Sequence, residues 1–390
     1  MEPVKKSARI DSLDMMRGFA LLGIFLVNMI SFHSPIFHYN PYQWWEGKGE
    51  ENLYMFIDVL VQASFYPLFA MLFGYGLAIQ RERALTRGVS FLSLGIRRLS
   101  VLLVFGLIHA LFIWSGDILT NYALFGLLLI GMMRWSGKTL LISGALLFFI
   151  PQLLISSMFV ILYVISPNQM LYFTDIQSVQ EAFRVYSSGN YAEIFSQRFQ
   201  DWFLVNRPLN LPFLLLAILP MMMIGAGASK EKLLENAHEK KGMWVTILLI
   251  SLVVGLGIKL LPFIIETNYT FTSIQDFLGG PFLSVAYAAT IILISMNGFM
   301  NRILQPLAKA GKMSLTLYLT QSIIGTLIFY SYGLGLYGEV TLTTGTWLVF
   351  VIFFIQVIIA EIWLSRFQYG PMEKLWRTLT YGKIKKRGTT

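Results

Sequence analysis

Residues 97–134 read RRLSVLLVFGLIHALFIWSGDILTNYALFGLLLIGMMR, and this stretch decides the class of fold. Two apolar runs flank a short polar turn, WSGD, at residues 114–117, and arginines stand at both ends of the stretch. A helix rises about 1.5 Å per residue, so a run of about 20 apolar residues crosses a hydrocarbon core of about 30 Å. The pattern predicts two membrane helices that meet at a turn on one side and end in basic residues on the other.

The same pattern recurs along the whole chain of 390 residues. Hydrophobic residues make up 56% and charged residues 13%, whereas a soluble domain has about 25% charged residues. Backbone amides in lipid must be satisfied within the segment, and a transmembrane barrel would need shorter strands of alternating polarity. We therefore predict an all-α polytopic bundle of about ten transmembrane helices, a single domain over residues 1–390. The predicted helices lie near 13–32, 54–80, 97–114, 118–133, 139–165, 210–229, 243–265, 281–299, 314–334 and 344–366.

The distribution of Lys and Arg predicts the orientation of this bundle. Of the 30 basic side chains, 24 fall at the chain ends and in alternate connections, and four fall in the opposite connections. Basic residues are retained on the cytoplasmic side, so both termini are predicted to be cytoplasmic. The net charge of +9 is then explained by topology and by contact with anionic membrane lipid, and we expect no nucleic-acid partner.

Two segments between or beyond the helices are distinctive. Residues 166–209 form a long extracytoplasmic connection whose pattern predicts amphipathic helices on the outer surface or a lid over a cavity. Residues 367–390 form a basic cytoplasmic tail. The absence of cysteine excludes disulfides and a cysteine nucleophile, and no residue spacing indicates a metal site.

Polar residues inside the predicted helices carry the functional information, because a charge there costs roughly 2.5–3.5 kcal/mol. Depth sorts them into two layers. The inner layer holds Asp14, Arg17, Arg98, Ser314 and Glu361, with Glu373 and Arg377 near it. The outer layer holds Asn28, His33, His38, Asp58, His109, Asp117 and Tyr122. We expect one shared interior space to be lined by Arg17, Asn28, Asp58, His109 and Gln321. The structural alternative for the inner layer is an i,i+3 pair, Asp14–Arg17, with Arg98 as a basic anchor.

His109 and Asp117 are the strongest candidates for catalysis. His109 lies eleven residues beyond Arg98, hence ~16 Å deeper along a helix. The Ser115–Gly116 turn lets the Asp117 carboxylate approach the imidazole ring. A carboxylate-oriented imidazole is the arrangement used for general-base work. The alternative is that His109 only ties helices together through hydrogen bonds.

Five strings occur in order along the chain: RIDSLDMMRGFALLGIFLVN (9–28), PLFAMLFGYG (67–76), RRLSVLLVFGLIHALFIWSGDILTNYAL (97–124), GKMSLTLYLTQS (311–322) and FQYGPMEKLWRTLTY (367–381). Together they resemble the YeiB-like family of bacterial membrane proteins, the domain of unknown function 418. The resemblance spans residue 9 to about residue 381 and implies a multi-pass protein of the bacterial cell (inner) membrane.

The opening SLDMMRG, with Asn28 after it, is also similar to the start of the lysosomal heparan-glucosaminide N-acetyltransferase family. That family belongs to a transmembrane acyltransferase superfamily that takes acyl groups from cytoplasmic acyl-CoA to acceptors across the membrane. The resemblance implies a donor such as acetyl-CoA and the same helical core. A histidine shortly after the first helix is implicated in transfer there, and His38 falls close to that place.

Three functions fit these features. In an acyltransferase, a cytoplasmic acyl thioester enters near Arg17 and Arg98, and His109 deprotonates an envelope sugar or lipid acceptor at the outer face. Asn28 or Tyr122 then polarises the acyl carbonyl. In a transporter or lipid flippase, the polar stripes of helices 1, 2, 3 and 9 line a substrate path. The third function is a non-catalytic partner of an envelope enzyme.

Overall fold

The structure, a computed structural model, describes residues 10–382. Their backbone is helical and contains no strand. The α-helices, in chain order, are α1 (Asp11–His33), α2 (Pro41–Trp44), α3 (Lys48–Leu60), α4 (Phe65–Thr86), α5 (Phe91–Ile108), α6 (Leu119–Met132), α7 (Gly137–Ile165), α8 (Ile176–Ser188), α9 (Tyr191–Asn206), α10 (Leu211–Lys230), α11 (Lys241–Lys259), α12 (Leu261–Ile264), α13 (Tyr269–Ile274), α14 (Gly280–Ser295), α15 (Gly298–Ile303), α16 (Gln305–Lys312), α17 (Ser314–Phe329), α18 (Leu342–Arg366) and α19 (Pro371–Tyr381). Two π-helical segments, His109–Ile113 and Gln275–Gly279, continue α5 and join α13 to α14.

The predicted all-α membrane bundle is confirmed. Within residues 10–382, eight helical segments are long and apolar enough to cross a membrane. They are Asp11–His33, Lys48–Thr86, Phe91–Ile113, Gly137–Ile165, Leu211–Lys230, Lys241–Lys259, Tyr269–Ser295 and Leu342–Arg366. Two shorter apolar helices, Leu119–Met132 and Ser314–Phe329, correspond to the fourth and ninth predicted helices. The prediction therefore locates all ten segments, although the eighth begins at Tyr269 rather than near residue 281.

The prediction of one continuous second helix over 54–80 is wrong. α3 ends at Leu60, α4 begins at Phe65, and Ala63 between them adopts a positive φ of 56°. Pro67, in the first turn of α4, marks this break in the sequence, because its ring nitrogen cannot donate back to the residue 63 carbonyl of a continuous helix. Side chains distant in sequence stabilise it, because backbone carbonyls released inside a membrane need donors. The donor–acceptor pairs are Lys259 Nζ with the Asp58 carbonyl, the Tyr287 hydroxyl with the Leu60 carbonyl and the Ser284 hydroxyl with the Ser64 carbonyl.

The start of α1 is fixed by a close crossing with α16. A Cβ added at Gly18 would lie 2.1 Å from the Leu307 carbonyl oxygen, and one added at Gly311 would lie 1.9 Å from the Asp14 carbonyl oxygen. Small residues allow membrane helices to pack backbone against backbone in this way. The crossing holds the polar first turns of α1 beside the C-terminal end of α16.

The connections predicted to share a side of the membrane contact one another. At the basic end, Gln305 donates to Asp11 and the Trp376 indole donates to the Arg98 carbonyl. At the opposite end, the Asp175 amide donates to the His38 carbonyl, and Asn121 donates to Asn206. The connection 166–209 contains α8 and α9 there. Which end faces the cytoplasm stays a prediction, and the basic residues of 1–9 and 383–390 lie outside the described residues.

Candidate functional site

A cavity of about 710 Å³ lies between α1, α4, α5, α6, α17 and α19. Its lining includes both Arg83 and Phe69 of α4. These residues are fourteen positions apart, which is about 21 Å along a helix. The cavity therefore extends from the basic end of the bundle deep into the membrane-spanning part.

Cationic side chains surround the mouth of this cavity. They are Arg17, Arg83, Arg87, Arg98, Lys312 and Arg377. Two carboxylates, Asp14 and Glu373, also line it. The excess of positive charge, in a recess partly screened from water, suits an anion such as a phosphate group.

Neighbouring groups hold the arginines of the mouth in place. The guanidinium of Arg17 lies 3.1 Å from the Asp14 carboxylate, which confirms the predicted i,i+3 pair. The guanidinium of Arg98 lies 3.5 Å from the centroid of the Trp376 ring, and the Trp376 indole donates back to the Arg98 carbonyl at 2.9 Å. Trp376 therefore fixes both the side chain and the backbone of Arg98.

Glu373 joins α19 to the first turn of α17. Its carboxylate accepts hydrogen bonds from the amides of Leu315 and Thr316 at 2.8 and 3.1 Å, and from the Thr316 hydroxyl at 2.6 Å. These amides are donors that the helix itself cannot satisfy. Burial raises the pKa of Glu373, and the hydrogen bonds from Thr316 oppose that rise. Through this contact α19 forms one wall of the cavity.

The deep end of the cavity is apolar except for two tyrosines. Its apolar lining comprises Leu21, Ile24, Phe69, Leu72, Phe73, Leu102, Ile118 and Leu119. The Tyr122 hydroxyl donates to the Tyr66 carbonyl at 2.6 Å, and the Tyr318 hydroxyl donates to the Gly116 carbonyl at 3.3 Å. The cavity thus ends against the turn that joins α5 to α6.

A buried histidine–aspartate pair lies behind this end wall. His109 Nδ1 is 2.9 Å from Asp117 Oδ1, so the contact expected from the turn is present. Asp117 Oδ2 also accepts the Thr120 amide at 2.7 Å and caps the first turn of α6. A neutral imidazole that donates from Nδ1 to a carboxylate has a lone pair at Nε2. His109 Nε2 has no hydrogen-bond partner among the described residues.

The π-helical segment and Tyr318 determine where His109 lies. The Trp114 amide donates to the His109 carbonyl at 2.8 Å, which closes the wide π turn at the end of the span. The Tyr318 ring lines the cavity, and its centroid lies 5.1 Å from that of the imidazole. One aromatic ring therefore contacts both the cavity and the candidate base.

Asp58 belongs to a different cluster, at the break between α3 and α4. Its Oδ2 accepts hydrogen bonds from Gln275 at 2.7 Å and from the Tyr42 hydroxyl at 2.9 Å. Lys259 Nζ donates to the Asp58 carbonyl at 3.0 Å and to Asp276 Oδ1 at 3.1 Å. The sequence pattern did not indicate Gln275 and Asp276 as membrane residues, because the predicted eighth helix began after them.

The expectation of one shared interior space is therefore wrong. Among the residues expected to face it, Arg17 lines the large cavity, whereas Asn28, Asp58, His109 and Gln321 do not. Gln321 instead donates to Gln356 at 2.9 Å, which ties α17 to α18. Asp58, His109 and Gln321 each hydrogen-bond to a separate partner, so these polar side chains avoid lipid without a common space.

The remaining candidates divide between the two ends of the bundle. Asp14, Arg17, Arg98 and Tyr122 line the large cavity. His38 Nε2 lies 3.7 Å from Asp201 Oδ1 of α9, and both residues line a small outer cavity of about 10 Å³ with Ser115. Asn28 is half-buried in α1. Ser115 lines the small cavity, and Tyr318 of the large cavity donates to the Gly116 carbonyl, so both cavities lie close to the turn 114–117.

Comparison with known proteins finds a matching family model and three relatives similar over nearly the whole chain. Residues 228–383 match the family model described as "Protein of unknown function (DUF418)". The chain is 34% identical to "Uncharacterized protein YxaH" of Bacillus subtilis (strain 168), over 98% of this chain and 96% of that protein. It is 28% identical to "Uncharacterized protein YeiB" of Escherichia coli (strain K12), over 95% of each chain. It is also 28% identical to "Uncharacterized 39.9 kDa protein in amylase 3'region" of Bacillus acidopullulyticus, over 98% of this chain and 97% of that protein.

Proposed function

We propose that this chain, which belongs to the YeiB-like DUF418 family of multi-pass membrane proteins, is a membrane-embedded acyltransferase. In this proposal it moves an acyl group from a cytoplasmic acyl thioester to a cell-envelope sugar or lipid at the outer face. One observation supports the proposal above the others. A carboxylate-held imidazole, with Nε2 lacking a partner among the described residues, lies against the end wall of a deep cationic cavity.

The lining of the cavity fits an acyl-CoA. The cationic mouth suits the phosphate groups of the nucleotide part, since Arg and Lys donate charge-assisted hydrogen bonds to phosphate oxygens. The apolar deep end suits the less polar acyl-bearing arm. With the basic end in the cytoplasm, as the Lys and Arg distribution predicts, the thioester would point toward the outer half of the membrane.

The chemistry follows from the two nitrogens of His109, of which Nδ1 is hydrogen-bonded to Asp117 and Nε2 has no partner among the described residues. Nε2 takes the proton of the acceptor hydroxyl or amine while the acceptor oxygen or nitrogen attacks the thioester carbonyl. The new acyl–oxygen or acyl–nitrogen bond forms as the carbon–sulfur bond breaks, and the imidazolium returns the proton to the leaving thiolate. Asp117 keeps Nδ1 protonated and stabilises the transient imidazolium. Tyr318 must turn aside for the acceptor hydroxyl or amine to reach Nε2 beside the thioester carbonyl, because His109 is 1% exposed.

A transfer assay on reconstituted protein tests this function. Proteoliposomes receive acetyl-CoA and an extract of envelope sugars and lipids, and the release of free thiol is followed. His109→Ala should lower the rate at least about 100-fold, the lower limit for general-base catalysis. Asp117→Asn should lower it less, because Asp117 orients the base and does not take the acceptor's proton.

His33→Ala is the matched control, because His33 is also 1% exposed and lies in a membrane span but contacts aromatic rings instead. It should leave the rate within a few-fold of wild type. Full transfer by a folded His109→Ala protein would remove the histidine from the mechanism.

A second candidate function, transport of an anion or lipid, is favoured by the break between α3 and α4. Interrupted membrane helices with charged residues beside them are typical of transporter binding sites. Here Asp58, Lys259 and Gln275 meet at such an interruption. Transport predicts flux of an anionic solute through proteoliposomes that Asp58→Asn abolishes and His109→Ala preserves, the reverse of what acyl transfer predicts.

A further inference from the structure

Arg198 of α9 is a buried cation for which the proposed mechanism has no role. Its side chain is 0% exposed, and it is among the largest fully buried side chains of the described residues. A buried charge is strongly destabilising unless an opposite charge or several hydrogen bonds compensate it. The contacts of Arg198 therefore indicate what this position is built to hold.

The guanidinium is only partly satisfied. Nη1 donates to the Leu111 carbonyl at 3.1 Å and the guanidinium also donates to the Tyr332 hydroxyl, whereas Nε and Nη2 make no hydrogen bond of close geometry to the described residues. Its aromatic neighbours include Tyr330 and Tyr191, and the Tyr191 ring centroid lies 5.9 Å from the central guanidinium carbon. The nearest carboxylate along α9, Asp201, accepts from Gln197 and Tyr186 and faces His38. Arg198 forms no ion pair within residues 10–382 that would neutralise its charge.

The two N–H groups without a close hydrogen bond are the pair that binds oxyanions. Nε–H and Nη2–H point in parallel along one edge of the planar guanidinium and match two oxygens of a phosphate or carboxylate. We propose that Arg198 is the anchor of an anion-binding site at the outer end of the bundle. Its ligand is the phosphate or carboxylate group of an extracytoplasmic molecule.

The position of Arg198 connects this site to the candidate base. Leu111 lies in the π-helical segment that begins at His109, so the guanidinium is fastened to the same turn as the imidazole. The small outer cavity, lined by His38, Asp201 and Ser115, lies one helical turn away along α9. At about 10 Å³ it has room for no more than a water molecule, so a ligand requires α9 to move outward.

An anion bound at Arg198 would hold a hydroxyl or amine of the same molecule beside His109. That assignment of the ligand as the acceptor rests on the proposed acyl transfer. Binding of the anion itself does not, because an outward-facing transporter would use the same site. A loss of acyl transfer would therefore leave the anion-binding result standing, and a failure to bind the anion would leave the transfer result standing.

Calorimetric titration of the purified protein in phosphatidylcholine nanodiscs tests the site, with inorganic phosphate and glycerol phosphate as probes. Every protein in the titration, the reference included, also carries Arg98→Gln. This substitution weakens anion binding at the cationic mouth of the large cavity equally in all of them. Arg198→Gln removes the charge, and Arg198→Lys keeps the charge but removes the parallel N–H pair. Arg184→Gln is the matched control, because Arg184 lies on the neighbouring helix α8 with a side chain 52% exposed.

Both Arg198 substitutions should weaken phosphate binding about tenfold or more, while Arg184→Gln leaves it unchanged. Unchanged affinity in Arg198→Lys would overturn the proposal, even if Arg198→Gln fails to fold. Replacing phosphatidylcholine with phosphatidylglycerol distinguishes the source of the anion. A rise in melting temperature that depends on Arg198 indicates a lipid headgroup, and phosphate binding without such a rise indicates a soluble molecule. The absence of both phosphate binding and the rise in melting temperature would contradict the proposed site.

Discussion

At the scale of single residues, the contrast between the two buried histidines locates the candidate chemistry. His33 and His109 are equally inaccessible, and in each Nε2 has no partner among the described residues. His109 differs because a carboxylate fixes Nδ1 and a cavity-lining tyrosine covers its ring. Burial alone does not distinguish a packed histidine from a base, whereas a carboxylate on one nitrogen and a position behind a cavity-lining side chain do.

Gly106 keeps the space in which the pair is assembled. A Cβ added there would lie 2.5 Å from the Thr120 amide nitrogen and 3.0 Å from Asp117 Oδ2. Gly106→Ala should therefore displace the carboxylate, lower stability by about 1–3 kcal/mol and reduce transfer with it. Thermal unfolding and the transfer assay measure both effects.

Gly131→Ala in α6 is the control, because a Cβ there meets nothing within 4 Å. It should leave both quantities unchanged. Wild-type stability and transfer in Gly106→Ala would show that the carboxylate can shift without consequence.

Residue pairs were predictable from the sequence only where the partners are close along the chain. Asp14 with Arg17 and His109 with Asp117 are three and eight residues apart, so helix and turn geometry bring them together. Asp58 was misplaced because its partners Gln275 and Lys259 are more than 200 residues away. No local pattern indicates which distant polar group a membrane helix will find.

At the scale of elements, α19 is the wall that completes the cationic mouth. Its residues Glu373, Trp376 and Arg377 all line the cavity. The sequence indicated a basic tail here but not a helix folded back on α5 and α17. That arrangement depends on the Trp376–Arg98 and Glu373–α17 contacts, which sequence separation conceals.

Trp376 should govern how well the mouth binds its ligand. Trp376→Ala frees the Arg98 guanidinium and should weaken CoA binding about tenfold, within the range of a partly desolvated cation–π contact. Trp376→Phe keeps an aromatic face and should weaken binding less. Leu375→Ala, on an exposed face of the same helix, is the control for titration calorimetry. Equal CoA affinity in Trp376→Ala and wild type would contradict a role for α19 in binding.

Lys259 should be the main support of the broken second span. Lys259→Met removes the Lys259 donor from the Asp276 carboxylate and leaves the Asp58 carbonyl with the longer hydrogen bond from Gln275 at 3.4 Å. Removing one partner of a buried pair costs about 3–5 kcal/mol, and the lower end applies because the Asp276 side chain is 33% exposed. The melting temperature should fall by several degrees.

Lys241→Met, at the exposed start of the same helix α11, should leave the melting temperature unchanged. Should Lys259→Met melt like wild type but lose activity, the cluster would be functional and transport would gain support.

At the scale of the whole molecule, composition was sufficient to predict the architecture. Apolar segments of membrane length must be helical, so hydropathy located the eight long spans of the described residues and the two shorter apolar helices beside them. The large cavity was not predictable in shape, because it depends on how the helices pack. Its cationic character was indicated by Arg17 and Arg98.

The orientation of the bundle gives a further prediction. Reporter fusions at Asn40 and Asn236 should read outside and inside respectively, because the Lys and Arg distribution places the basic end in the cytoplasm. Asn40 lies at the end that holds α8 and α9, where its amide donates to Thr174. The same reading at both positions would overturn the topology, and reversed readings would place the cationic mouth outside the cell.

The position of a bound acyl-CoA tests the central claim most directly. A cryo-electron-microscopy map of the protein in nanodiscs with acetyl-CoA should show the nucleotide among Arg17, Arg98 and Arg377 and the thioester against Tyr318, with His109 behind it. Density for the donor at another surface, or a cavity that stays empty at saturating acetyl-CoA, would contradict acyl transfer through His109.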